Sequence, residues 1–448
     1  MTAESKAFMR QTTSLVLPMA IQNLINTGVS AADVLMLGRA GKIALSAASL
    51  GGQMFFIMTL ICFGIGSGSS VLTAQYWGKR DIDTIEKILG FTLKISFIIA
   101  AVFTFLVIFF PQTCMSLFTS ESEVIEAGAG YLRIVGLSYA ASAITMGYLN
   151  LMRSIERVMI STMVYMISLV INVCLNAVLI FGLLGFPALG VRGAAAATVA
   201  ARFTELVIVL VYAYKFNDTV RIRSKYILHT YGPILKDFLR YSLPVVMNEL
   251  LWGVGVSVLS AIIGHMGSSV TAANSVAQVV RQLAMVVLFG LANAAAIMIG
   301  KSIGAGDEGL AKRHSVRFIK LTLVLGIISG LLILAISPLV CSMMSLEGES
   351  ALYLKQMLYI MSYFVVAQAV SSVTIVGIFR SGGDTRIGLL LDTSTLWLFA
   401  LPAGIVSAFV LHLPVYAVYM VLCSDEILKL PFCLHRWHSM KWLHNVTR

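Results

Sequence analysis

Twelve long apolar blocks dominate this chain, near residues 12–37, 50–75, 89–110, 130–152, 161–184, 190–214, 238–264, 273–300, 316–338, 353–379, 387–411 and 413–434. A helix needs roughly 20 apolar residues to cross a bilayer core, and in lipid each backbone amide must find its partner within the segment. Blocks of this length therefore predict spanning α-helices. With 58% of residues hydrophobic and 12% charged, the chain cannot cover a water-soluble surface of its size. The spans leave no room for a separate soluble domain. The polar start MTAESKAFMR leads into a first span too long for a signal-peptide core, so no cleaved leader is expected.

The net charge of +11 would suit nucleic acid if it were clustered. Its placement argues otherwise. With the N-terminus inside, only Arg39, Lys42 and Arg192 fall in outside loops, and Lys94, Arg133, Arg202, Arg281 and Lys355 fall within spans. The remaining lysines and arginines lie in inside loops and at the termini, which is the bias that orients spans on insertion. Both termini are expected in the cytoplasm of a multi-pass protein of the plasma membrane, in a bacterium the cytoplasmic membrane, with no nucleic-acid partner. Cys62, Cys114, Cys174, Cys341, Cys423 and Cys433 lie mostly in apolar helix with no CxxC pair, and read as small core residues.

The two halves repeat. Leu17-Pro18 returns as Leu243-Pro244, and at the same offset Gly38, Gly41, Ala47, Gly78 and Asp81 fall on Gly264, Gly267, Ala273, Gly304 and Asp307. One position further along, Pro111, Cys114 and Arg153-Ser154 fall on Pro338, Cys341 and Arg380-Ser381. An even number of spans per copy makes the repeats parallel, related by an axis along the membrane normal. The expected fold is thus an all-α membrane protein of twelve transmembrane helices in two parallel six-helix lobes. Residues 1–214 form the first lobe, 215–237 a cytoplasmic linker, and 238–448 the second lobe with a short tail.

Charged and amide side chains inside spans are costly, so they mark candidate sites. Asp33 shares a helical face with Gln22, Asn26 and Ser30, spaced for one wall of a cavity whose acid binds a proton or a cation. Asn172 and Asn176, at i and i+4, can hydrogen-bond such an acid, and Thr198 opens the sixth span. Gln53 in the second span, Asn248 and Glu249 in the seventh, and Gln278 and Gln282 in the eighth are candidates for a substrate cavity. The alternative for each is a polar seam between helices. For Glu249 it is an ion pair with Arg281, since buried charges persist chiefly when paired. Asp392 is a cavity acid or a solvated residue near a span end. Asp425 and Lys429, at i and i+4, read as an ordinary helix pair. Pro18, Pro244 and Pro402 each remove a backbone donor inside an apolar span and are expected to bend it.

Taken in order, these features resemble the multidrug and toxic compound extrusion (MATE) transporters over nearly the whole chain. The resemblance rests on the duplicated Leu-Pro openings, Asp33-Val-Leu-Met-Leu-Gly38 followed by Ala47, and Gln75-Tyr-Trp-Gly78 with its echo at Lys301–Gly304. It rests also on Asn172 through Gly182, Gly190 through Thr198, and Arg380-Ser-Gly-Gly-Asp-Thr-Arg386. It implies export of small organic cations by alternating access, coupled to entry of H+ or Na+, with no cofactor beyond that ion, no bound metal centre, and a monomer in the lipid bilayer. Asp33 matches the family's first-helix acid, Pro18 its helix-bending proline, and Asn172 and Thr198 the acid's partners. Asn176 falls where some members carry a second acid, which leaves Asp33 as the one clear acid of the site. Trp252 stands where other members place a seventh-helix glutamate. The rival within this architecture is a flippase for a lipid or lipid-linked precursor, which would favour a more basic cavity than Asp33, Glu249 and Asp392 against Arg281 provide. An intramembrane enzyme would need a nucleophile or metal constellation, and neither HExxH nor GxSxG occurs.

Overall fold

The computed structural model describes residues 3–229, 231–343 and 348–448, and the regular elements among them are all helical. Eleven helices among the described residues are long and apolar enough to cross a membrane. They are α1 (Ala3–Ala40), α2 (Lys42–Lys79), α3 (Ile82–Phe109), α4 (Ser122–Ser154), α5 (Met159–Phe181), α6 (Val191–Phe216), α7 (Gly232–His265), α8 (Ser268–Gly304), α9 (Glu308–Met343), α10 (Glu349–Phe379) and α11 (Thr385–Val410). Their outer faces carry bare apolar side chains such as Phe105, Phe109, Leu331 and Leu398, as expected where lipid is the solvent.

The twelfth apolar block differs from one uninterrupted span. It consists of three consecutive helices, α12 (Val415–Cys423), α13 (Asp425–Leu428) and α14 (Leu430–His438), separated by Ser424 and Lys429. Both separating residues keep right-handed helical angles, so the chain continues in one direction while the hydrogen-bond ladder is interrupted. Pro431, which has no amide hydrogen, explains the second interruption. The Ser424 hydroxyl donates to the Val421 carbonyl at 2.6 Å beside the first.

The repeated residues have repeated structural duties. Gly41 and Gly267 turn the chain from α1 into α2 and from α7 into α8, with φ of +124° and +128°, a region that side chains rarely adopt. Asp81 and Asp307 cap the helices that follow, accepting from the Thr84 amide at 3.1 Å and the Leu310 amide at 2.8 Å. Gly78 and Gly304 lie where α2 and α8 end against each other. A Cβ on Gly304 would sit 1.8 Å from the Gln75 carbonyl oxygen. Gly304→Val should therefore misfold, and its yield of monodisperse protein in detergent should fall well below that of Ser302→Ala, which changes a neighbouring small side chain without adding volume.

Packing divides the chain into two compact units, and their borders cut through helices. One unit contains the chain up to Ala20, Ala74–Arg80 and Met247–Arg448, and the other contains Ile21–Thr73 and Asp81–Val246. In the second of these, α5 packs along α6, and α3 along α4. The linker region is anchored there rather than loose. Arg223 pairs with Glu86 at 2.5 Å, and the Tyr226 hydroxyl donates to Asp83 at 2.5 Å. That carboxylate raises the Tyr226 phenol above its usual range. In the other unit, α8, α9 and α10 pack on one another, and Trp442 of the tail is fully buried.

Candidate functional site

The unit formed by Ile21–Thr73 and Asp81–Val246 encloses a cavity of about 430 Å³, within the size range of small-molecule sites. Five helices wall it. Helix α1 contributes Asn26, Ser30 and Asp33, placed on one side by their helical spacing, and α2 contributes Phe55, Phe56 and Thr59. Helix α5 contributes Tyr165, Ser168 and Asn172, and α6 contributes Thr198, Arg202 and Glu205, with Ser142 and Met146 of α4 closing the ring.

Asp33 is the centre of a short hydrogen-bond chain. Asn176 Nδ2 donates to Asp33 Oδ1 at 2.5 Å and also faces Asn172 Oδ1 at 3.1 Å. Asn176 is completely buried, and its own Oδ1 has no hydrogen-bond partner among the described residues. The i, i+4 spacing of the two asparagines puts them one above the other on α5, aimed at α1. Asp33, Asn172, Asn176 and Thr198 are thus brought to one place.

A second group in the cavity was not expected from the sequence. Arg202 pairs with Glu205 at 2.7 Å, Ser168 donates to the same Glu205 oxygen at 2.5 Å, and the guanidinium lies 5.7 Å from the centre of the Phe55 ring. Asp33 is therefore not the cavity's sole acid. The available signal was Thr198, Arg202 and Glu205 at steps of four and three along one span, a polar stripe like that of α1.

Several candidates lie elsewhere. Gln22 is buried with its Oε1 unpartnered among the described residues, and it does not line the cavity. Gln53 is exposed, because the cavity side of α2 is the one carrying Phe55, Phe56 and Thr59. Glu249 pairs with Arg380 at 2.8 Å, not with Arg281. Arg380 lies at the end of α10 and is only 4% exposed, whereas Arg281 turns toward Asp425, Glu426 and Tyr419 around a smaller cavity that Glu249 does not line. Asn248 donates to Asp392 at 3.1 Å. Gln278 lines the smaller cavity, and Gln282 is exposed and does not. These residues do not form one substrate cavity. Asp392 is not simply solvated, since Lys429 pairs with it at 3.0 Å, and Lys429 is no ordinary surface partner of Asp425 because it is nearly buried.

Apolar helices long enough to span a bilayer, around an acid-bearing cavity, mark a multi-pass membrane protein with an interior polar site. Residues 18–178 and 244–406 match the MatE family. The chain is 26% identical to a probable multidrug resistance protein, YoeA, of Bacillus subtilis, over 92% of this chain and 89% of that one. It is also 26% identical to a probable multidrug resistance protein, NorM, of Agrobacterium fabrum, over 90% and 87%. Its fold superposes on the outward-facing conformation of a multidrug resistance MATE family transporter with a TM-score of 0.86 at 19% identity, covering 96% of each chain. A MOP superfamily transporter from Pyrococcus furiosus gives 0.85 at 20% identity, again over 96% of each. The chain belongs to the MATE family of multidrug efflux transporters, and it is a transporter rather than an enzyme.

Proposed function

We propose that the chain is an antiporter that exports small organic cations by alternating access, with protons returning through Asp33. The observation that carries this reading is the placement of Asp33, a carboxylate on a spanning helix that lines a 430 Å³ cavity and is held by Asn176. With Glu205 set against Arg202, Asp33 gives the cavity one uncompensated negative charge, which favours a cation over an anionic lipid headgroup. Phe55, Phe56 and Tyr165 offer aromatic faces to a flat organic cation. The multidrug resistance names of the relatives accord with a broad substrate range. A proton suits the Asp33 site better than sodium does, because the neighbouring side chains Asn172 and Asn176 add no second carboxylate to hold a metal ion.

Alternating access needs helices that bend. Pro18 and Pro244 stand just before Ala20 and Val246, where the borders of the packing units cross α1 and α7. A proline gap in the ladder at those points is where a helix yields most easily.

The test is transport of fluorescent cationic dyes in proteoliposomes under imposed gradients. Export driven by a proton gradient and indifferent to sodium supports the reading, and export driven by sodium alone overturns its choice of ion. The charge asymmetry supports a topology with both termini in the cytoplasm. Lys441 and Glu123 are both exposed. In a background with the exposed Cys174 replaced by alanine, Glu123→Cys should react with an impermeant maleimide on intact cells, and Lys441→Cys only after lysis. The reverse pattern would invert the topology.

A further inference from the structure

The unit containing Met247–Arg448 holds a buried charge cluster that the Asp33 reading does not use. Lys429, between α13 and α14, reaches Glu426 at 2.9 Å, Asp392 of α11 at 3.0 Å and Asp425 at 3.7 Å, with its side chain only 7% exposed. Ser371 of α10 donates to Glu426 at 2.5 Å, and Asn248 of α7 donates to Asp392 at 3.1 Å. Asp425 and Glu426 also line a cavity of about 70 Å³, together with Arg281 and Gln278 of α8 and Gln368 of α10.

Two features of that cavity point to a ligand. Gln368 is 9% exposed and lines it, yet its side-chain amide has no hydrogen-bond partner among the described residues. Arg281 lines it and makes no ion pair among them. The other titratable groups facing the cluster are Tyr419 and Cys423 of α12 and Cys433 of α14. Glu249 and Arg380 neutralise each other nearby. Fully ionised, the cluster would contain the carboxylates Asp392, Asp425 and Glu426 against the cations Lys429 and Arg281. One negative charge would stay uncompensated in a low-dielectric setting, where an unpaired charge is strongly disfavoured.

We propose that this cluster is a second proton site, holding one proton shared between Asp425 and Glu426 beside the 70 Å³ cavity. The proton adds to an existing carboxylate oxygen and makes a carboxylic acid that can donate to Gln368 or to a water in the cavity. A metal cation fits less well, because Lys429 and Arg281 repel it at short range and no group of three His, Cys, Asp or Glu side chains among the described residues is placed to hold one. The proposal does not depend on the role given to Asp33. If both sites release their protons in one cycle, each cycle returns two.

Infrared difference spectroscopy of the purified full chain tests this without transport. The wild type at neutral pH should show the carbonyl stretch of a protonated carboxyl, and Asp33→Asn should retain the part contributed by the cluster. Asp425→Asn and Glu426→Gln should each abolish that part, since removing one acid balances the charge. Arg281→Gln removes no ion pair and so should fold. It should add a second protonated carboxyl, doubling the cluster's band, which a purely structural salt bridge would not do. A wild-type spectrum with no cluster-dependent band, or an Arg281→Gln spectrum with no increase, overturns the proposal. Loss of transport in Asp33→Asn with the cluster band intact would support both sites separately.

Discussion

Asp33→Asn is expected to insert and fold like the wild type, yet to export dye no faster than protein-free liposomes under an imposed proton gradient. The substitution keeps an oxygen where Asn176 Nδ2 now donates at 2.5 Å, so the link between α1 and α5 survives. What it removes is the choice between a charged and a neutral state. A gradient does work only through a group that takes up and releases the ion, each charge moved through 100 mV being worth about 2.3 kcal/mol. A ligand shifts a conformational equilibrium only by its differential affinity for the two states, and a permanently neutral residue 33 has no proton with which to differ. Dye binding to the purified protein should weaken but persist, because Phe55, Phe56 and Tyr165 remain. Wild-type export by Asp33→Asn would move the coupling role to another acid.

Glu249→Gln should act on stability rather than on coupling. It leaves the Arg380 guanidinium, 4% exposed, without the carboxylate that now meets it at 2.8 Å. Removing one partner of a buried ion pair costs about 3–5 kcal/mol. A lower melting temperature in detergent and a smaller folded yield are expected, while the folded fraction still pumps per molecule at close to the wild-type rate. Replacing both partners, as Glu249→Gln with Arg380→Gln, should recover much of the loss. If the double variant is no more stable than the single one, the pair is not the source of the effect. If Glu249→Gln is stable but silent in transport, Glu249 belongs to the coupling machinery instead.

Eleven of the twelve expected spans and the polar faces of α1 and α5 could be read from the residues alone, because each depends on local periodicity, and the duplication from a near-constant offset between the halves. Apolar length dictates a spanning helix in lipid. Spacing along one helix dictates which residues share a face, so Asn26, Ser30 and Asp33, and likewise Asn172 and Asn176, fall together as expected. The repeated glycines and aspartates recur because both halves need the same turn at Gly41 and Gly267 and the same cap at Asp81 and Asp307. Only the tertiary structure decided which helices meet and how each is rotated about its axis. That rotation gave Glu249 to Arg380 instead of Arg281, left Gln53 outside the cavity, and brought the Arg202–Glu205 pair in. It also drew Asp392 onto Lys429, a contact across 37 positions of sequence, and made a buried cluster of what reads as a plain i, i+4 pair. Helical periodicity specifies the face of one helix, whereas a buried charge finds its partner through the packing of many.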